Sequence, residues 1–272
     1  APYIAAGARA GFRYGDAALQ DAITMDGLFC AFDQVLMGLS TDNYTGDSIS
    51  RAEMDEVSAA SHERAAAAIK DGRFTDEIAP VSIPQRKGDP IVVETDEGVR
   101  PGTTAESLGK LKAAFKADGS ITAGNASQLS DGGSALIVMS RETAEARGLE
   151  ILGEIVGYGM VAGPDNASLN LQPANAIRKA LGKASLEVSD ISVFELNEAF
   201  AAVGIASSRD LGISLDVVNV NGGAIALGHP IGMSGNRLAL TMLHELRRRG
   251  GGIGAAALCG GGGQGDAILL RT

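Results

Sequence analysis

Beyond residue 156 the chain alternates short apolar runs with stretches whose apolar residues recur every three to four positions. The runs at 191–196, 217–220, 253–258 and 266–270 predict strands. The stretches at 173–181, 198–210 and 232–249 predict helices. Pro173 stands near the opening of the first helix and Gly182 just past its end, where each is best tolerated. This alternation implies an α/β layer built on a mainly parallel sheet. The last two runs are too close for a crossover helix and predict an antiparallel hairpin.

The opening 1–122 reads differently, with more charge and several Gly and Pro breaks. A capping box of Ser50 and Glu53 opens a helix that Asp71-Gly72 ends. A second box, Thr103 and Glu106, opens an amphipathic piece carrying Leu108, Leu111 and Phe115. This part reads as a mainly helical insertion. Residues 122–140 return to α/β character, with the apolar run 135–139 predicted as a buried strand.

The 45% apolar and 21% charged composition is that of an ordinary globular chain with a sizeable core. A net charge of -10 argues against nucleic acid, whose phosphates need a basic face. No apolar stretch reaches the length of a membrane span. The only cysteines, Cys30 and Cys259, have neither metal-site nor framework spacing, so the chain reads as reduced and cytoplasmic, without metal. The start, Ala1-Pro2-Tyr3-Ile4, lacks an initiator Met and a signal pattern and reads as an internal cut.

Glycine changes the picture most, with 37 residues, many of them in tight runs near the end, which suggests backbone packed close to something. Three segments place reactive side chains where predicted strands end: Asn197-Glu-Ala-Phe-Ala, Gly222-Gly-Ala-Ile-Ala-Leu-Gly-His229-Pro-Ile-Gly, and Cys259-Gly-Gly-Gly-Gly. In open α/β sheets ligands bind at such ends. About one strand-helix unit separates each from the next, which would return all three to one sheet edge. Each residue also has an ordinary reading: a buried thiol for Cys259, a core or capping imidazole for His229, a helix cap for Asn197. Cys30 reads as structural, and His62 and His244 as surface groups on helices. No Gly-x-Gly-x-x-Gly opens a helix after a strand, so a dinucleotide fold is not indicated.

Together the three segments resemble the thiolase family, whose late motifs are an Asn-Glu-Ala-Phe box, a Gly-His-Pro box and a Cys-x-Gly box in this order. The resemblance covers the whole chain and implies an incomplete layered αβαβα thiolase-like α/β fold with an inserted mainly helical loop domain. Its divisions would be 1–122 for the loop domain, 123–148 for the end of the N-terminal half and 149–272 for the C-terminal half. It places the chain as the family's C-terminal two-thirds, lacking the N-terminal segment that carries the nucleophilic cysteine. That missing segment is then an expected partner, as an intact precursor or a separate chain.

The activity the resemblance implies is reversible Claisen condensation and thiolysis of acetyl-CoA and acetoacetyl-CoA. Cys259 is similar to the family's proton-shuttling cysteine. His229 resembles the histidine that activates the nucleophile and stabilises charge on the thioester oxygen, Asn197 would hold a water that supplies a second donor, and the Gly261 amide would face the tetrahedral intermediate. The residues implied at the CoA and acyl subsites are Arg100, Ser107, Ser127, Ala123, Met37, Phe115 and Phe200. Residues 84–116, with six cations against five carboxylates, suit a nucleotide better than the acidic remainder. No cofactor is implied, since CoA thioesters are the substrates, and the family's habit implies a homodimer or homotetramer.

One departure stands at Leu36, where biosynthetic members often carry histidine. It leaves open a degradative 3-ketoacyl-CoA thiolase of broader chain length, because an apolar pocket separates acyl lengths weakly. A decarboxylating ketoacyl synthase would carry a second catalytic histidine in place of Cys259. A third reading is an inactive fragment that needs its N-terminal part.

Overall fold

The computed structural model describes residues 1–163 and 166–272. The charged, Gly- and Pro-broken opening forms only short ribbons and helices. Strands β1 (Tyr3–Ile4) and β2 (Gln20–Asp21) pair antiparallel, as do β3 (Phe29–Cys30) and β4 (Val35–Leu36). Helices α1 (Met37–Thr45) and α2 (Arg51–Lys70) follow, then an antiparallel ribbon of β5 (Val81–Ile83) and β6 (Ile91–Val93), and the short α3 (Ala105–Gly109). The Ser50 hydroxyl caps α2 by accepting the Glu53 N–H at 3.2 Å. The second capping box lies one residue later than expected, between Thr104 and Ser107. Leu108 is buried there, but Leu111 is exposed.

After α4 (Arg141–Ala146) come β7 (Glu154–Ala162), α5 (Gln172–Ala184), β8 (Val193–Leu196), α6 (Ala201–Leu211), α7 (Ala224–Leu227), α8 (Ser234–Arg248), β9 (Ile253–Gly260) and β10 (Gln264–Arg271). They build a four-stranded sheet in the order β7-β10-β9-β8. Only β8 and β9 run parallel; β10 is antiparallel to both neighbours. The sheet is therefore mixed rather than mainly parallel, because the last strand, β10, takes two of its three pairings, both antiparallel.

Side chains alternate across the sheet with the strand period of two. Phe194, Leu196, Ala255, Ala257, Ala267 and Leu269 face α5 and form one core. Val193 and Leu270 face α8 and pack with Met242, Leu243 and Leu246. The small residues of β9 let both helix layers approach. The closest approach to α5 is at Gly159 of β7, where an added Cβ would lie 2.1 Å from the Ala176 carbonyl oxygen. On the far side of α6, Met54 of α2 and Ile121 close a further core over Ala201, Ala202 and Ile205. This is how the helical opening of the chain is clamped to the sheet layer.

Four expectations are corrected. Residues 217–220 form no strand: Val217 ends a short 3₁₀ turn, Val218 makes a single bridge to Phe194, and Asn219 then turns left-handed with φ 47°. Residues 135–139 are not a buried strand either. They line an open cavity of about 1770 Å³ bounded by β7, β10 and α8, and Ile137 is 84% exposed. The helix expected from residue 198 begins at Ala201, because Phe200 is extended and bridges Ala126 while the Ser127 N–H donates to the Ala199 carbonyl. Gly182 lies inside α5, which ends at Ser185 in the left-handed conformation.

Candidate functional site

Parallel pairing sets Leu196 of β8 opposite Ala257 of β9, so Asn197 and Cys259 emerge at the same, C-terminal, end of adjacent strands. The Asn197 N–H continues the ladder to the Ala257 carbonyl at 2.9 Å. Cys259 stands two and four residues beyond Ala257 and Ala255 and faces the same way. It packs with Leu169 and Val203, with Met37, Ala199 and Phe200 against them.

His229 reaches this place from the Gly-rich segment between α7 and α8. Its Nε2 lies 3.1 Å from the Asn197 amide nitrogen and its Nδ1 2.6 Å from the Ser234 hydroxyl. Phe200 meets Phe115 edge-on with ring centroids 6.4 Å apart. Gly261 is closed over by Met37: an added Cβ would lie 2.2 Å from the Met37 methyl. The structure thus gathers Asn197 and His229, and beside them Cys259, Met37, Phe200, Phe115 and Gly261.

The remaining expected residues sit differently. Ser127 joins the group through its N–H bond to Ala199 at 3.0 Å. Ala123 is exposed in the turn before Asn125. Arg100 is exposed, its N–H donating to His62 Nδ1 at 3.2 Å. The Ser107 hydroxyl is engaged at the start of α3, accepting the Thr104 N–H and donating to the Thr104 carbonyl. His62 is corrected from a surface group to a buried one, 5% exposed, because its ring accepts the Arg100 N–H.

Burial governs the protonation of the central groups. It pushes the Cys259 thiol up to about 12. It lowers His229 to about 4, with the Arg237 guanidinium adding to the effect. At neutral pH Cys259 is therefore a thiol and His229 a neutral imidazole. The Asn197 side-chain amide oxygen, Oδ1, is buried without a hydrogen-bond partner among the described residues, an acceptor free for a water or ligand.

Sequence reasoning did not single out three side chains that hold the site. Glu198, 4% exposed, accepts from the Ser61 hydroxyl, the Ile225 N–H and the Asn219 amide, fastening α2 and α7 to the Asn197 loop. Asn219 holds the end of β8, and Ser234 holds His229. Only Glu198, adjacent to Asn197 in the motif, carried a signal; the other two act through contacts that spacing does not show. Among the described residues no three His, Cys, Asp or Glu side chains come together as a cation site, and no helix is long and apolar enough to cross a membrane.

Comparison with known proteins agrees along the whole chain. The profile for the thiolase N-terminal domain matches residues 1–142, and that for the thiolase C-terminal domain matches 149–272. A probable acetyl-CoA acetyltransferase of Mycolicibacterium smegmatis is 56% identical over all of this chain and 70% of its own length. The acetyl-CoA acetyltransferase of Pseudomonas aeruginosa is 50% identical over 99% of this chain and 69% of its own. The crystal structure of the Bacillus anthracis acetyl-CoA acetyltransferase superposes with a TM-score of 0.93 at 40% identity, covering 99% of this chain and 68% of the other. That of human mitochondrial 3-ketoacyl-CoA thiolase gives 0.94 at 40% identity, covering 100% and 68%. The layered α/β fold with a mainly helical insertion is thus shared. One expectation is overturned: the N-terminal domain profile covers residues 1–142, so N-terminal-domain sequence is present, and the absence of that part and its role as a partner are withdrawn.

Proposed function

Because the chain belongs to the thiolase family, we propose that Cys259, His229 and Asn197 serve the reversible condensation of acetyl-CoA to acetoacetyl-CoA and its thiolysis. The observation that carries this reading is the convergence of Asn197, bonded to His229, and Cys259 at the ends of two adjacent parallel strands. Neither Cys259 nor Cys30, buried in β3, stands at the family's acyl-carrying position.

In the cleavage direction a thiolate sulfur, in the net reaction that of CoA, bonds to C3 of the ketoacyl chain as the bond between C2 and C3 breaks, so that the acyl group leaves as its thioester and the electron pair remains on the departing acetyl-CoA as an enolate. Cys259, protonated at rest, gives its proton to that carbon, and the thiolate left behind is reprotonated from the incoming CoA thiol. In condensation the same thiolate removes the proton from acetyl-CoA. The enolate oxygen needs donors, which the reading assigns to His229 and to a water on Asn197; the Gly261 amide serves the tetrahedral intermediate.

Met37, Phe115 and Phe200 supply an apolar wall for the acyl group, with Ala123 and Ser127 along the pantetheine arm and Arg100 and Ser107 toward the nucleotide. We assign 1–122 to the loop domain, 123–148 to the end of the N-terminal half and 149–272 to the C-terminal half. Exposed Tyr3, Phe12 and Leu19 support a homodimer or homotetramer, and two free buried thiols support a cytoplasmic setting. Leu36, together with the likeness to the human 3-ketoacyl-CoA thiolase, favours a broader acyl range as the second reading.

Deuterium exchange into the methyl group of acetyl-CoA isolates the proton-transfer step. Exchange should be faster with the protein than in buffer and should vanish in Cys259→Ala. An unchanged rate in Cys259→Ala would sink the assignment. Thiolysis of 3-ketoacyl-CoA esters of increasing length then separates the two acyl ranges.

A further inference from the structure

We infer that Ser234 is a positioning residue for the proposed reaction: it fixes the His229 imidazole as the tautomer protonated on Nδ1 and leaves the Nε2 lone pair facing the site. The inference rests on the functional reading for its purpose and on hydrogen-bond accounting for its content.

Ser234 is the first residue of α8 and is fully buried. Its hydroxyl lies 3.0 Å from the Pro230 carbonyl and 2.6 Å from His229 Nδ1. The same carbonyl accepts the N–H groups of Met233 and Ser234, which pins the serine in place. A hydroxyl has one proton to give. Donated to Pro230, it leaves the oxygen as an acceptor, so Nδ1 carries the hydrogen. Nε2 is then an acceptor, which the Asn197 amide N–H satisfies at 3.1 Å.

The opposite tautomer loses more than it gains. With hydrogen on Nε2, Ser234 must turn its proton to Nδ1 and give up Pro230. The Asn197 amide must then rotate so that its oxygen meets Nε2–H, which moves its NH₂ to the buried position that now holds an unpartnered oxygen. A buried amide with no acceptor is the costlier orphan, since unpaired N–H groups are rarer in proteins than under-used carbonyls. Three bonds are kept in the first arrangement and two in the second.

The first arrangement also suits the chemistry. A base must present a lone pair before it takes a proton, and Nε2, on the Asn197 side, takes that of the incoming CoA thiol on its way to the Cys259 thiolate. Once Nε2 is protonated it becomes the donor that the thioester oxygen requires, while Nδ1–H stays bonded to Ser234. Ser234 thus acts through His229 without touching substrate.

The test is nitrogen NMR of the protein with ¹⁵N-labelled imidazoles. The chain has 3 histidines, and His229→Asn identifies the signal. The parent protein should show Nδ1 protonated and Nε2 bare. Ser234→Ala should move both nitrogens toward a mixture and slow methyl exchange of acetyl-CoA about ten- to a hundred-fold, with CoA affinity unchanged. Ser234→Thr, which keeps the hydroxyl, should restore the parent tautomer, and it decides the matter with the parent should Ser234→Ala fail to fold. Hydrogen on Nε2 in the parent, or an unaltered tautomer in folded Ser234→Ala, overturns the inference. A parent without methyl exchange would instead overturn the functional reading, and the tautomer measurement would still judge Ser234.

Discussion

The side chain of Asn219 acts as a strand partner for Leu196: its amide oxygen accepts the Leu196 N–H and its nitrogen donates to the Leu196 carbonyl, both at 2.8 Å. The same nitrogen reaches Glu198 Oε1 at 2.9 Å. The residue between, Asn197, is held from both sides, by this clamp and by Ala257 of β9. Asn219→Ala removes the clamp and leaves both Leu196 backbone groups unpaired in the interior. We expect a loss of about 2–4 kcal/mol, read from the midpoint of urea unfolding.

Glu198 should matter for stability more than for chemistry. Its carboxylate satisfies three buried donors from α2, the 219 turn and α7. Truncation in Glu198→Ala strands all three, and we expect a cost of about 3 kcal/mol or more in chemical unfolding. Glu198→Gln keeps the shape but turns an NH₂ toward donors, so it should fall between the parent and the alanine variant.

Cys259 should resist alkylation at neutral pH. Only a thiolate reacts at a useful rate, and a buried thiol pushed up to about 12 is almost wholly protonated at pH 7. Peptide mapping after iodoacetamide treatment of the folded protein should find Cys259 unmodified, and should find it labelled once urea is added. Rapid labelling in the native state would contradict the protonated resting thiol.

The His229 ring sets an acid-side slope in stability. The folded protein holds its pKa near 4, against 6.5 in an unfolded chain. Between those values the unfolded state binds the proton and the folded state does not, so stability falls as pH drops from 6.5 toward 4, by on the order of 3 kcal/mol in total. Glu77 and Glu195, raised by burial to about 7 and about 8, slope the other way. The difference between the parent and His229→Asn isolates the histidine, and that difference should vary with pH only in this acid window.

Gly159 is where α5 touches the sheet most closely. An alanine there would push its methyl onto the Ala176 carbonyl, backbone against backbone, with no flexible side chain to yield. Gly159→Ala should destabilise by about 2 kcal/mol or more, whereas Gly182→Ala, in open space inside the same helix, should stabilise slightly.

The sequence by itself determined the elements whose reasons are local. The apolar runs of β8 and β9 are legible because burial on both faces demands them, that of β10 because one face is buried, and the final hairpin because its connection is short. The three motif segments were legible as one site because strand-helix spacing returns the chain to the same edge, and His229 does meet Asn197 there. Tertiary structure decided whatever depends on a partner distant in the chain. Val218 looked like part of a strand, but the Asn219 side chain takes over the pairing. Ile137 and Val138 have strand-like side chains, but no described strand lies beside them to pair with. His62 has the spacing of a surface helix position, but the loop before Arg100 folds over it. The same reason hid Ser234: a hydroxyl has no directional signature in a sequence, and its role exists only once α8 begins beside His229.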